Sequence, residues 1–333
     1  MCVAVETQNA TCAHQVTAMI ETHGLRRTFR SRRGEVVAVA GVDLRVAAGE
    51  VFGFLGPNGA GKTTTLRMLA TLLPPTGGEA TVAGCDLRRA PGRVRERIGY
   101  VAQGGSTDPA LSARAELVLQ GRLYGLSKGD AQRRTAELLR VFELDACADR
   151  PSGSYSGGQR RRLDLALGLI HRPGLVFLDE PTTGLDPQAR ARMWDEVRRL
   201  RDSGTTVFLT THYLEEADAL CDRLAIIDHG RIVAEGTADQ LKRQVAGDVV
   251  LLGVDGDPAA AVALLARQPF VREASRADDR IRLYVEQGER ALPAILRLLD
   301  GAGLALQTIA LSRPSLDDVF LRTTGHSLRD QDD

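Results

Sequence analysis

Residues 50–63, EVFGFLGPNGAGKT, decide the fold of this chain. The apolar run 50–56 predicts a buried strand that ends in a glycine turn, and residues 62–72 predict a helix that stops before a proline pair. Between them, residues 56–63 fit the pattern G-x-x-x-x-G-K-[ST] in the strand–loop–helix context that this motif requires. A chance glycine-rich turn is the alternative, and this context disfavours it. The stretch therefore predicts an α/β protein with a P-loop NTPase core.

The loop of this motif is suited to binding the phosphates of a nucleotide. Its glycines let backbone N–H groups converge on a polyphosphate, and the start of the following helix adds a positive field. Lys62 would place a compact charge on the β- and γ-phosphates, where the broad fork of an arginine would not enter. The Thr63 hydroxyl would bind Mg²⁺. The predicted nucleotide contacts in this loop are Gly56, Asn58, Gly59, Gly61, Lys62, Thr63 and Thr64.

A second apolar strand, at residues 175–178, is followed by two adjacent carboxylates, Asp179 and Glu180. Successive residues of a strand face opposite sides, so the two can serve different purposes at its carboxyl end. We expect Asp179 to hold a metal ion and Glu180 to polarise an attacking water. Two acids after a strand mean little by themselves, but about 120 residues after a phosphate loop they predict an ATPase.

Residues 155–159, YSGGQ, resemble the signature of ATP-binding cassette (ABC) proteins and lie shortly before the carboxylate strand, as in that family. Gln103 resembles the family's Q-loop glutamine, residues 183–186 (TGLD) its D-loop, and His212 its switch histidine. Phe29 stands where the family places an aromatic ring on adenine. These motifs follow the family's order over about two thirds of the chain, which makes the set far more specific than a phosphate loop alone.

The resemblance implies a RecA-like core with a helical signature subdomain at about residues 106–165. It also implies a head-to-tail dimer, in which Ser156 and Gly158 of one copy contact the γ-phosphate held by Lys62 of the other. The dipole of a helix that starts near Gln159 would again face phosphate. One chain has one cassette, so we expect a homodimer or a pair with a second cassette.

The resemblance further implies ATP and Mg²⁺ as cofactors and assigns the remaining site residues. The catalytic residues would be Glu180 and His212. The nucleotide contacts outside the loop would be Phe29, Gln103, Ser156, Gly157, Gly158, Gln159 and Asp186. The metal ligands would be Thr63, Gln103 and Asp179. The sequence departs from the family pattern at Tyr155, where leucine is usual, and we expect this to be tolerated because the serine and the glycines contact phosphate.

Several of these residues have plainer interpretations. A lone histidine at a strand end is usually an ordinary polar residue, so His212 depends on its place in the set. Phe29 could be part of the core. Residues 160–162, three consecutive arginines, could contact nucleic acid, but a solvated helix face or a support for the signature is the favoured interpretation.

The region after residue 246 has a different order of elements. It reads strand (248–254), helix (258–267), strand (270–275), strand (280–286), helix (289–300) and strand (304–312), which predicts a small ferredoxin-like α+β domain. The expected division is therefore a disordered leader (1–18), a nucleotide-binding domain (19–246), a C-terminal accessory domain (247–325) and a tail (326–333).

Composition limits the function classes. The 333 residues carry 43 Lys+Arg and 43 Asp+Glu, a net charge of zero, which argues against a protein that coats nucleic acid, and no nucleic-acid partner is expected. No apolar stretch approaches the ~18–20 residues of a membrane span. A transporter role would therefore need a separate membrane permease, with this chain held peripherally at the cytoplasmic face of the membrane.

Three tasks remain open for such an ATPase: the energy subunit of a transporter, a soluble cassette acting on ribosomes or DNA, and a non-transport regulator. Residues 155–187, together with residues 314–326 (PSLDDVFLRTTGH), resemble the ATPase subunits of daunorubicin/doxorubicin-resistance exporters. That resemblance implies export of an antibiotic or another drug-like small molecule. Lipid, polysaccharide or another small molecule is the alternative cargo.

Overall fold

A computed structural model describes residues 18–31, 34–244, 248–255, 257–277, 280–312 and 315–325. The predicted leader, apart from Ala18, lies outside the described residues, as do the predicted tail (326–333) and the predicted domain boundary at 246–247. Among the described residues, no helix combines the length and the apolar character needed to cross a membrane.

The described residues form strands and helices in the following chain order. The strands are β1 (Ala18–Ser31), β2 (Gly34–Ala47), β3 (Val51–Leu55), β4 (Gly77–Val82), β5 (Cys85–Asp86), β6 (Ile98–Val101), β7 (Leu175–Asp179), β8 (Thr206–Thr211), β9 (Arg223–Asp228), β10 (Arg231–Gly236), β11 (Asp248–Asp255), β12 (Val271–Ala277), β13 (Arg280–Val285) and β14 (Ala305–Ser312). The α-helices are α1 (Lys62–Leu69), α2 (Pro91–Arg97), α3 (Ala113–Leu123), α4 (Lys128–Val141), α5 (Gly157–Leu169), α6 (Pro187–Asp202), α7 (Leu214–Leu220), α8 (Ala238–Gln244), α9 (Pro258–Leu265), α10 (Gly288–Gly301) and α11 (Leu316–Thr324).

The centre of the molecule is a six-stranded sheet in the order β10-β9-β3-β8-β7-β6. Its inner strands pair in parallel, and β9 with β10 forms an antiparallel hairpin. Every residue of β3, β7 and β8 is buried, because layers cover both faces of the sheet. On β7, Phe177 packs towards α1 and Leu178 towards the helical region. The predicted α/β core is confirmed, and the carboxyl ends of β3, β7 and β8 meet at one edge.

A second sheet, β2-β1-β4-β5, is antiparallel and was not predicted from the sequence. Its two long strands contain register shifts, for instance between Thr22 and Leu25. Each shift moves the following side chains to the other face, so the alternation of apolar and polar residues that identifies a strand is interrupted. The sheet covers α1, which ends at Leu69 and is three residues shorter than predicted.

Helices α3, α4 and α5 occupy the region predicted as the helical subdomain. Ser127 caps the start of α4: its hydroxyl accepts the N–H of Asp130 (3.1 Å). The Asp130 carboxylate in turn accepts a hydrogen bond from the Ser127 hydroxyl (2.6 Å). Helix α5 begins at Gly157 and not near Gln159, so the signature glycines form its first turn.

The C-terminal elements have the strand order β12-β13-β11-β14 with antiparallel pairing throughout. This is the predicted βαββαβ arrangement, and α9 and α10 pack on one face of its sheet. Helix α11, which the sequence analysis missed, follows it and starts with a capping box of Ser315 and Asp318. Phe320 of α11 shares a buried cluster with Leu55 and Ile226 of the central sheet, and this cluster joins the C-terminal region to that sheet.

Candidate nucleotide site

The loop between β3 and α1 encloses the Lys62 side chain. Lys62 is 4% exposed, and its Nζ donates to the carbonyl oxygens of Gly56 (2.8 Å) and Pro57 (3.0 Å). Gly61 has φ +104°, and a Cβ there would lie 2.4 Å from the Ala38 carbonyl oxygen, so only glycine fits. The loop therefore holds a buried ammonium group beside convergent backbone, at the position that the sequence predicts for phosphate.

Asp179, at the end of β7, is fully buried beside this loop. Its Oδ1 accepts hydrogen bonds from the hydroxyls of Thr63 (2.9 Å) and Thr210 (2.8 Å). Its Oδ2 is also buried but accepts no hydrogen bond from any described residue. A buried carboxylate oxygen without a partner is costly unless a cation or a donor satisfies it. Thr63 and Asp179 therefore fit a Mg²⁺ ion, a cation that takes oxygen ligands from few protein groups.

The Glu180 carboxylate lies at the meeting point of several elements and is 7% exposed. Its Oε2 accepts Gln103 Nε2 (2.7 Å) and Thr183 Oγ1 (3.2 Å), and its Oε1 lies 3.5 Å from Lys62 Nζ. His212, just after β8, places Nδ1 3.4 Å from Oε2. The structure thus brings together the predicted Gln103, Lys62 and His212 around one carboxylate.

These neighbours keep Glu180 ionised. Burial alone would raise the pKa of Glu180, but the nearby His212 ring and the charge of Lys62 outweigh it, so the pKa is lowered. The Glu180 backbone is also unusual, with φ +45°. A non-glycine residue holds this conformation only when its surroundings impose it, and such residues concentrate at functional sites.

The predicted signature residues lie with Gly184 and Asp186 of the D-loop in a different place, whereas Thr183 of that loop contacts Glu180. Ser156 caps α5: its hydroxyl accepts the Gln159 N–H (3.2 Å), while Gln159 Oε1 accepts the Ser156 N–H (3.0 Å). Asp186 caps α6 by accepting the Ala189 N–H (2.8 Å). Both caps, with Gly157 and Gly158, line a cavity of about 400 Å³. No residue of the phosphate loop lines this cavity, so one chain presents two separate groups of predicted phosphate contacts.

Tyr155, the departure from the family signature, points into the helical region. It is buried, and its hydroxyl donates to the Cys147 carbonyl oxygen (2.6 Å). Burial raises the pKa of Tyr155 to about 12. The larger side chain is therefore accommodated in the interior, away from the signature cavity.

Phe29, the residue predicted to stack on adenine, lies on the antiparallel sheet. It is 39% exposed on β1, with the Arg27 guanidinium 4.7 Å from its ring centre. It pairs with Val36 of β2. Ala38 lies two residues further along β2, and its carbonyl oxygen is the atom that a Cβ at Gly61 would approach to 2.4 Å. An exposed ring on the sheet beside the phosphate loop is open to a base.

Arg161 lies in the arginine run interpreted as a solvated face or a signature support, and for this residue the solvated face is wrong. Arg160 is exposed, but Arg161 is buried. Its guanidinium donates to the carbonyl oxygens of Ala102 (2.6 Å) and Pro181 (2.9 Å). Helical spacing offered a signal, because Arg161 lies one turn before the apolar Leu165 on α5.

Comparisons with known proteins identify the family of this chain. A family model described as ABC transporter matches residues 39–183, and one described as ATP-binding protein DrrA1-3-like, C-terminal domain, matches residues 236–324. The daunorubicin resistance ATP-binding protein DrrA2 of Streptomyces coeruleorubidus is 48% identical over 304 residues, which are 90% of this chain and 94% of that protein. The daunorubicin/doxorubicin resistance ATP-binding protein DrrA of Streptomyces peucetius is 46% identical over 95% of this chain and 96% of that protein.

A solved structure shows the same fold. The dimeric ATP-binding cassette MJ0796, in a post-hydrolysis state bound to ADP and Pi, is 25% identical, with a TM-score of 0.61 over 66% of this chain and 98% of that one. Motif order, buried geometry and these similarities lead to one assignment. The chain belongs to the ABC transporter family, as an ATP-hydrolysing subunit with a DrrA-like C-terminal domain.

Proposed function

We propose that this chain is the ATPase of an exporter that moves an antibiotic or another drug-like small molecule through a separate membrane permease. The relatives named for daunorubicin and doxorubicin resistance support this cargo class, since they match nearly the whole chain. The observation that carries the ATPase assignment is the cluster of Lys62, Thr63, Asp179 and Glu180 at the carboxyl edge of the sheet, in which the two carboxylates and the ammonium group are buried.

The contacts of these residues suggest how ATP is held. In our proposal Lys62 exchanges the carbonyl oxygens of Gly56 and Pro57 for the β- and γ-phosphate oxygens of ATP. Thr63 and Asp179 hold Mg²⁺, and Gln103 is proposed as a further ligand through its amide oxygen. When bound, Mg²⁺ would neutralise charge on the phosphate oxygens. The base is proposed to stack on Phe29.

Glu180 is proposed to orient and polarise the water that attacks the γ-phosphate. Its carboxylate is ionised, with a lowered pKa, and therefore can accept a hydrogen bond from water. Gln103 and Thr183 fix one carboxylate oxygen by donating to it, and His212 lies beside the same oxygen. We propose that His212 keeps this carboxylate in place during hydrolysis.

The two separate groups of phosphate contacts support a head-to-tail homodimer. Ser156 and Gly158, at the start of a 13-residue helix, would contact the γ-phosphate on Lys62 of the partner, where the helix dipole favours an anion. Asp186 lines the same cavity and is proposed to lie at this interface. ATP would then close the dimer, and hydrolysis would open it.

The Ser156→Arg variant is expected to lose this ATP-dependent dimerisation. The measurement is light scattering after size exclusion, in a Glu180→Gln background with Mg²⁺-ATP. The chain with Ser156 should be a dimer. The Ser156→Arg variant should be a monomer, because the larger, charged side chain occupies the place of the partner's γ-phosphate. ATP should still bind at the chain's own phosphate loop. Ser154→Arg, two residues away and exposed, should dimerise normally. Equal dimerisation of both variants would contradict the proposed interface.

The helical region offers a surface for the permease. Leu119 and Leu123 lie one turn apart on α3 and are 50% and 73% exposed. Leucines so exposed on one helix face are typical of a contact surface. We propose that this face meets the permease, which would hold the chain at the cytoplasmic side of the membrane. In this proposal residues 19–246 are the nucleotide-binding domain and residues 247–325 the accessory domain.

Drug export can be tested in cells. Expression of this chain with a candidate permease should raise the growth-inhibitory concentration of daunorubicin severalfold in a sensitive bacterium, because efflux requires both the motor and the membrane path. Neither protein alone should do so, and the permease with Glu180→Gln should not. Stimulation of the ATPase by ribosomes or DNA, with no effect of any permease, would contradict the transport proposal.

A further inference from the structure

The guanidinium of Arg161 contacts the backbone on both sides of the proposed catalytic residue. Its Nε donates to the Pro181 carbonyl oxygen (2.9 Å), and one terminal nitrogen donates to that of Asp179 (3.2 Å). The other terminal nitrogen donates to the Ala102 carbonyl oxygen (2.6 Å). The three carbonyls thus belong to the residues immediately before and after Glu180 and to the residue immediately before Gln103.

One turn further along α5, Asp164 holds the other end of the loop that carries Gln103. Asp164 is 3% exposed, and its Oδ1 accepts the Ser106 N–H (2.8 Å). Gly105 packs so closely that a Cβ there would lie 2.9 Å from Asp164 Oδ2. Arg161 and Asp164 are themselves 4.0 Å apart, so each buried charge has an opposite charge nearby.

Because the inference concerns hydrolysis, it rests on the nucleotide site proposed above. We propose that Arg161, supported by Asp164, is a positioning residue that makes the placement of Gln103 against Glu180 depend on the position of the signature helix. The same helix begins at Ser156, the proposed contact to the second nucleotide. Movement of α5 on dimer closure would therefore reach the chain's own hydrolytic carboxylate through these two side chains.

The backbone at Glu180 explains why such a support is needed. Its φ of +45° is unfavourable for a glutamate and persists only if the neighbouring peptides are held. Arg161 holds the carbonyl on each side of it. The planar fork of arginine can reach three carbonyls at once, whereas a lysine has a single compact donor group.

The Arg161→Met variant tests this inference in the complete chain. We expect the kcat of Mg²⁺-ATP hydrolysis to fall about ten- to a hundredfold, because a small misplacement of the reacting groups has effects of this size. The KM should stay within about twofold, since the phosphate loop is not contacted by Arg161. Arg140→Met, the same change at an exposed arginine on α4, should leave both constants unchanged. Arg161→Lys should restore part of the lost kcat.

Loss of Arg161 leaves Asp164 buried without its partner, so the single variant could be poorly folded. Arg161→Met combined with Asp164→Asn removes both charges and keeps an acceptor for the Ser106 N–H, and it should show the same loss of kcat at normal KM. An unchanged kcat in this folded double variant, or a rise in KM that matches the fall in kcat, would overturn the inference. If the unchanged chain failed to bind ATP, the proposed nucleotide site would fail and this inference with it.

Discussion

The Glu180→Gln variant is expected to hydrolyse ATP at a rate near background, about a hundred- to a thousandfold below the unchanged chain, while it still binds ATP. Glutamine keeps the shape of the side chain and can still accept the hydrogen bonds of Gln103 and Thr183. It loses the negative charge that would polarise the attacking water. Phosphate release at saturating ATP measures the first effect, and binding of a fluorescent ATP analogue measures the second.

A matched control separates chemistry from general damage. Glu215→Gln makes the same change at an exposed position on α7, close in sequence to His212, and should leave hydrolysis unchanged. Loss of nucleotide binding in Glu180→Gln, or unchanged turnover, would contradict the role proposed for Glu180. Because Glu180→Gln is expected to bind ATP and retain it, this variant is also the background for the dimerisation measurement.

The sequence predicts those parts of the fold whose signals are local. Strands β3, β7 and β8 are buried throughout and mostly apolar because both faces of the sheet are covered, and each leads into a recognisable loop. The strands and helices from β11 to β14 alternate clearly enough that their order was predicted, with bounds correct to within a few residues. The antiparallel sheet of β1, β2, β4 and β5 escaped prediction, because register shifts in its long strands break the two-residue period.

The site residues, too, were predictable from local signals, whereas the contacts between distant residues were not. The phosphate loop is contiguous, so its residues could be identified from spacing alone. The contact between Gln103 and Glu180 joins residues 77 positions apart and was not predicted; the family resemblance assigned the two residues only separate roles at the nucleotide site. The contacts of Arg161 were not predicted because its partners are backbone carbonyls, one of them 59 positions away. A carbonyl leaves no trace in residue identity, and the sequence therefore gives no direct sign of such a contact.

A single chain thus holds two separate groups of proposed phosphate contacts. Lys62, Asp179 and Glu180 lie at the carboxyl edge of the central sheet, while Ser156 and Asp186 line a separate cavity. In the proposed dimer each nucleotide would receive contacts from both chains, so hydrolysis would require closure. The Arg161 contacts connect the two groups within one chain. This connection would let the state of one nucleotide affect the carboxylate that acts on the other.

The Lys62→Ala variant is expected to bind ATP about ten- to a hundredfold more weakly, because it lacks the charge-assisted hydrogen bonds proposed for the β- and γ-phosphates. Lys62→Arg should not restore binding, since Lys62 is 4% exposed within a loop whose carbonyls lie 2.8 and 3.0 Å from Nζ, and the wider guanidinium has no room there. Calorimetric titration with ATP measures the dissociation constant, and a melting curve confirms folding. Lys128→Ala, at an exposed lysine on α4, is the control and should bind normally. Full binding by Lys62→Arg would show that charge alone suffices and that the shape of the loop does not select lysine.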